Sequence, residues 1–357
     1  MSNPAILRKV ESEPTAVGSS AHQDHDHDPA SFTARNFRPR VSESAFAGRI
    51  GGNQVFVAHN REQLKETADA APLLSIQEAL KLDGFLSYDL WKMACIEGLG
   101  TCLLVFCLGA GGSGLTTQTE SQSASALYAA LLNTVALTLF IFTAAPASGG
   151  HLNPTITIST FFAGLCTLPR MVLYVTAQGI GAIVGSYWLR LGLGDAYFPH
   201  GVIPGCTVDP SLVSPGQLFV LEYMFAQALI FTAFGVGLDP RQGKVFGPAL
   251  SPVLVGLTLG FGTLASSLAK PGYTGICTVT TQQSDRKIAD ERRADDRIAF
   301  NSARCLGLMV AKGDLQYHHI HWLSTIAAAA LNGLFYFFAP PYLRNKRHRQ
   351  IGPTPHV

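Results

Sequence analysis

Two short stretches, Ser148-Gly149-Gly150-His151-Leu152-Asn153-Pro154-Thr155 and Asn301-Ser302-Ala303-Arg304-Cys305, hold the side chains best placed for chemistry. Asparagine is a strong helix N-cap and proline suits the first helical position, so a helix beginning at Asn153-Pro154 is locally well specified. Asn301 caps a second helix of the same kind, in which Ser302 lacks the pre-set φ of proline. A carboxamide donates and accepts at once, so Asn153 and Asn301 offer N–H groups to a hydroxyl or carbonyl while their oxygens satisfy the loop. Arg304, three residues past Asn301, adds a rigid fork of donors and a fixed charge on the first helical turn. This is equipment for holding a neutral polar solute. It requires no nucleophile, metal or cofactor.

The elements that must position these residues are apolar. With 47% hydrophobic and only 14% charged residues, the composition points to a membrane protein. Residues 1–87 form a polar tail expected to be largely disordered, 88–342 the hydrophobic body, and 343–357 a basic C-terminal tail. Six windows in the body, 90–110, 124–145, 171–191, 219–238, 248–268 and 322–339, have the length needed to cross a hydrocarbon core of ~30 Å. Two apolar segments are left over, 148–168 and 300–311, each about half a membrane thick, the length of a re-entrant half-helix.

Arg170, Arg241, Lys244, Arg344, Lys346, Arg347 and Arg349 flank the spans on one side, whereas 111–123 and 192–216 hold no Lys or Arg. Retention of such charges inside predicts that both termini are cytoplasmic. Residues 1–9 are not followed by an apolar stretch, so insertion is expected to start from a later span. The basic residues are scattered and the net charge is +2, which argues against a nucleic-acid partner.

Glu97 and Glu222 open the apolar runs EGLGTCLLVF and EYMFAQALIF at matching places in the two halves. Three spans per half, joined by a charged cytoplasmic link, give an inverted repeat whose interface carries the substrate path. Each intramembrane carboxylate needs partners, either as a structural acceptor for the nearby re-entrant loop or as a proton carrier. Glu97 precedes Asn153 by 56 positions and Glu222 precedes Asn301 by 79. The excess matches residues 276–297, a run of alternating acids and bases whose removal leaves TGIAFNSARC, a small-residue lead-in like that before Asn153. The run is an insertion in the outer loop. It is either a lid, with a short helix over 284–294, or a segment foreign to the functional protein.

SGGHLNPT, NSARC, Glu97xxGly100-Thr101 and Gln178xxGly181 together resemble the aquaporin, or major intrinsic protein, family over roughly residues 88–342. The cysteine after Arg304, the third position of the first motif and the loop GVIPGCTV are similar to the X-intrinsic subfamily of fungi and plants. The resemblance implies an all-α membrane protein of six transmembrane helices and two half-helices, four pores to a homotetramer in the lipid bilayer, and a plasma-membrane location. It implies a pore constriction at Asn153, Pro154, Thr155, Asn301, Ser302 and Ala303. It further implies a selectivity filter of Asn133, Thr263, Ile298 and Arg304, and structural support from Glu97, Glu222, Gln178 and His151. The function implied is passive passage of small uncharged solutes, namely glycerol, urea, hydrogen peroxide and water, with protons and ions excluded and no catalysis. Small polar Asn133 and Thr263 point to a wider aperture than a water-selective filter has. The altered second motif and the insertion keep open an alternative, a structural or junctional protein that has the fold without conduction.

Cys206, Cys277 and Cys305 lie where disulfide chemistry is plausible, with Cys206 and Cys305 the candidates at the outer mouth, while Cys95, Cys102, Cys107 and Cys166 lie in apolar runs as small hydrophobes. The acidic, His-rich tract 22–28 reads as a solvated tail, with weak metal binding as its other reading; no metal site is expected. Residues 61–82 have the pattern of short amphipathic helices that pack under the pore or gate it. Gly179, Gly181, Gly185, Gly256, Gly260 and Gly262 are spaced for close helix packing.

Overall fold

The computed structural model describes residues 74, 76–118, 122–194, 206, 213–238, 246–269 and 300–338. Among the described residues, eight helices of 9 residues or more follow in order: α1 Tyr88–Gln118, α2 Gln122–Ser148, α3 Pro154–Phe162, α4 Leu168–Leu193, α5 Pro215–Ala233, α6 Gly247–Ala269, α7 Ser302–Lys312 and α8 His318–Phe338. The last turn of α5 widens into a π-helical stretch, Phe234–Leu238. All but α3 and α7 are long and apolar enough to cross a membrane. α3 and α7 are too short to do so.

The packing repeats itself across the two halves. α1 lies against α4 as α5 lies against α8, α3 packs on α8 as α7 packs on α4, and α2 pairs with α6. Exchanging α1–α4 for α5–α8 maps this set of pairs onto itself, as an inverted repeat requires.

Close approach at the seams depends on particular glycines. A Cβ on Gly181 would run into the Gly98 carbonyl of α1, and one on Gly185 into the Cys102 carbonyl. Gly256 and Gly260 of α6 meet the hydroxyls of Thr138 and Thr134 in the same way, and Gly262 abuts the Phe300 ring. Gly179 departs from the expectation, since a Cβ there would meet only Leu306, at 3.8 Å. It lies two residues from Gly181, off the face that touches α1.

The half-helices begin where their capping asparagines place them, whereas the last span begins ahead of its apolar window. Within the segments 148–168 and 300–311 the helix starts only after the capping asparagine. α8 starts at His318, ahead of the window 322–339, because His321, Ser324 and Thr325 turn into the protein, where all three are buried.

Within 61–82, the described part holds one helical turn, Ile76–Ala79, followed by a 3₁₀ turn, Asp83–Leu86. The Leu74 N–H donates to the Gly164 carbonyl just past α3, at 2.8 Å, so this stretch packs beneath the first half-helix. Cys166, buried between α3 and α4, accepts from the Thr160 hydroxyl at 3.4 Å. Burial pushes its thiol up to about 11, in keeping with a small inert side chain. The tract 22–28, Cys277 and the run 276–297 lie outside the described residues.

The α1–α4 seam yields a prediction. Gly181→Ala destabilises the protein by roughly 1–3 kcal/mol, since a backbone carbonyl has to move, whereas Gly179→Ala does not. Melting temperatures of the detergent-solubilised variants check both outcomes.

Candidate functional site: two half-helix N-termini

Asn153 caps α3 with an extended backbone, and its Oδ1 accepts from the Thr155 N–H at 2.9 Å. Asn301 caps α7, and its Oδ1 accepts from Ala303 and Arg304, at 3.1 and 3.2 Å. The amide nitrogens point across to the other half. Asn153 Nδ2 donates to the Phe300 carbonyl at 2.7 Å, and Asn301 Nδ2 donates to the Leu152 carbonyl at 2.7 Å. Each asparagine therefore grips the residue that precedes the other. A carboxamide nitrogen has two hydrogens, so this clasp leaves one N–H on each side chain.

The carboxylate of Glu97 organises the first lead-in. Its Oε1 accepts from the Ser148 hydroxyl (2.7 Å) and the His151 N–H (3.0 Å), and its Oε2 from the Leu152 N–H (2.6 Å) and Gln178 Nε2 (2.8 Å). Four donors on a fully buried carboxylate offset the desolvation that an isolated charge would suffer. They also hold Leu152 at φ +50, a left-handed conformation costing a branched residue about 1–3 kcal/mol. In that conformation the Leu152 carbonyl accepts from Asn301. Nδ1 of His151 lies 3.1 Å from the Thr157 hydroxyl, its ring stands edge-on to Tyr174, and the Tyr174 hydroxyl donates to the Ser148 carbonyl at 2.7 Å.

In the second half, Glu222 Oε1 lies 3.2 Å from His321 Nδ1, and His321 Nε2 lies 3.0 Å from the Cys206 carbonyl. Cys206 is bonded to Cys305, with Cα atoms 5.3 Å apart, within the reach of a disulfide. Arg304 is buried on the first turn of α7 between Ala303 and Cys305.

Asn133 of α2 and Thr263 of α6 are fully buried side by side. Asn133 Nδ2 donates to the Thr263 hydroxyl at 3.3 Å and to the Ala129 carbonyl at 2.9 Å. This pairing bridges the α2–α6 seam. Asn133 Oδ1 has no partner among the described residues. Ile298 lies outside the described residues.

Residues 85–277 match the family described as major intrinsic protein, over more than half of the chain. The chain belongs to the major intrinsic protein family. It is 25% identical to aquaporin TIP1-2 of Zea mays over 280 residues, covering 77% of this chain and 96% of that protein. With aquaporin TIP1-1 of Arabidopsis thaliana it shares 25% over 272 residues, covering 74% and 92%. The aquaglyceroporin of Plasmodium falciparum has the same fold, with a TM-score of 0.52 at 19% identity, covering 70% of this chain and 96% of that one. The chain is thus an integral multi-pass membrane protein of a family of channels for small solutes. The family match ends at residue 277, where the charged run opens.

Sequence reasoning singled out both asparagines, Glu97 and the stretch that opens at Ser148, but missed Thr157, Tyr174, His321 and Thr325. A signal for two of them was present. Tyr174 and Gln178 repeat the spacing of Tyr317 and His321, and Gln178 and His321 each contact the glutamate of their half.

Glu97→Gln keeps a single acceptor oxygen and turns an NH₂ toward two of the four donors. It is expected to destabilise the protein by roughly 2–5 kcal/mol, read as a lower melting temperature in detergent. An unchanged melting temperature would mean that the carboxylate does not hold the lead-in.

Proposed function

We propose that this member of the family passes glycerol, urea, hydrogen peroxide and water down their gradients and excludes protons and ions. The observation that carries the reading is the Asn153–Asn301 clasp, which brings two helix N-termini together from opposite halves. Each terminus carries about half a positive charge, so a cation meets repulsion from both, while a neutral hydroxyl or carbonyl finds the remaining amide N–H groups. Arg304 supplies the filter cation of the outer mouth and repels cations a second time. Asn133 Oδ1, buried without a described partner, is the acceptor for a solute hydroxyl or N–H, which supports polyols and amides beside water. Glu97, Glu222, Gln178 and His151 act as structural support, and the disulfide ties the third loop to the filter helix. Ile298 completes the filter.

The charge asymmetry of the loops supports cytoplasmic termini, and we read the chain as a plasma-membrane homotetramer with one pore in each subunit. Residues 88–342 make up the channel, residues 1–87 and 343–357 its cytoplasmic tails, and 276–297 an insertion at the outer mouth.

Stopped-flow shrinking and swelling of proteoliposomes tests the reading. Glycerol and urea flux above protein-free vesicles is expected, with Asn133→Leu lowering the glycerol and urea rates about fivefold relative to water through loss of one hydrogen bond. No acceleration for any solute would contradict conduction and favour the structural, non-conducting alternative.

A further inference from the structure

The second half-helix begins with Ser302, where the first has Pro154. Proline fixes φ at the first helical position; serine leaves it free. Yet the two caps have closely similar backbones, φ −156 and ψ 120 at Asn153 against φ −138 and ψ 102 at Asn301. Something other than a ring must hold the start of α7.

Ser302 Oγ lies 2.6 Å from the hydroxyl of Thr325 on α8, with both residues buried. The Thr325 hydroxyl also donates to the His321 carbonyl at 2.8 Å. A carbonyl only accepts and a hydroxyl has one proton. With the Thr325 hydroxyl donating to the His321 carbonyl, and the Trp322 carbonyl also within 3.2 Å, the Ser302 O–H donates to the Thr325 oxygen. The order Ser302 to Thr325 to His321 gives the Ser302 side chain a single direction. One turn away on α8, the His321 ring contacts the carbonyl of Cys206, whose sulfur is bonded to Cys305. The same face of α8 thus holds α7 on both sides of Arg304, at Ser302 through a hydroxyl and at Cys305 through the disulfide.

We propose that Thr325 is the positioning residue that replaces the helix-starting proline in the second half, setting the first turn of α7 and with it the aim of Arg304. This rests on the channel reading given under Proposed function. Thr325 does not touch the solute. It acts through Ser302, and its hydroxyl matters only where residue 302 has a hydroxyl to place.

A double-mutant cycle on the full-length protein in proteoliposomes tests this. Thr325→Val, nearly equal in size, removes the acceptor and leaves the Ser302 hydroxyl buried alone; glycerol flux per reconstituted protein is expected to fall about fivefold or more. Thr325→Ser keeps the hydroxyl and retains flux. S302P restores the ring and leaves residue 302 no hydroxyl to place, so at whatever flux S302P has, the S302P/T325V pair is expected to stay within about twofold of it. An equal loss from Thr325→Val with and without S302P would overturn the proposal, because Thr325 would then act by packing alone. The glycerol-to-water ratio separates altered aim at Arg304 from general loss of fold: it shifts in Thr325→Val and recovers in S302P/T325V. If the wild type passes no solute, the channel reading fails. The same cycle read as melting temperatures in detergent still decides whether residues 302 and 325 are coupled, and additive melting shifts would overturn the positioning role.

Discussion

The exchange of hydrogen bonds between the two capping asparagines is the interaction on which the rest depends. Asn153 reaches the carbonyl before Asn301, and Asn301 reaches the carbonyl before Asn153. Neither bond is local, since 147 and 149 positions separate the partners, so neither half-helix is placed without the other. Both lead-ins must present a carbonyl inward, and the surrounding polar network exists to make them do so. Glu97 fixes the first by gathering two backbone N–H groups and two side chains. Without those donors, Leu152 has no reason to occupy a left-handed conformation.

The two halves solve the same problem with different chemistry. In the first half, proline starts the helix and Gln178 completes the shell of the carboxylate. In the second, Ser302 is held by Thr325, and His321 stands where Gln178 stands, linking Glu222 to the Cys206 carbonyl. The second half thereby gains covalent and hydrogen-bonded ties at the start of its half-helix that the first lacks among the described residues. That asymmetry falls beside Arg304, where placement of a charge matters more than packing alone.

Much of this was legible in the chain. The spans, the half-helices, the caps and Glu97 follow from hydropathy, segment length and the N-cap preference of asparagine, all local signals. The role of Thr325 was not legible, because a threonine in an apolar span reads as ordinary helix and its partner is 23 positions away on another element. Asn133 and Thr263 follow from the family resemblance, which shows nothing of their bond to each other across the α2–α6 seam. The glycines are spaced for close packing, yet the crossing of α1 and α4 uses Gly181 and Gly185 and bypasses Gly179. Spacing gives the period of a helix, and the crossing partner decides which members of the stripe are pressed.

The central claim is that converging half-helix N-termini admit a neutral solute and turn back a proton. Its most direct test is to record glycerol flux and dissipation of an imposed pH gradient on the same batch of proteoliposomes. The account predicts glycerol entry well above protein-free vesicles, with the pH gradient decaying no faster than in those vesicles. Accelerated decay of the gradient alongside glycerol entry would contradict it.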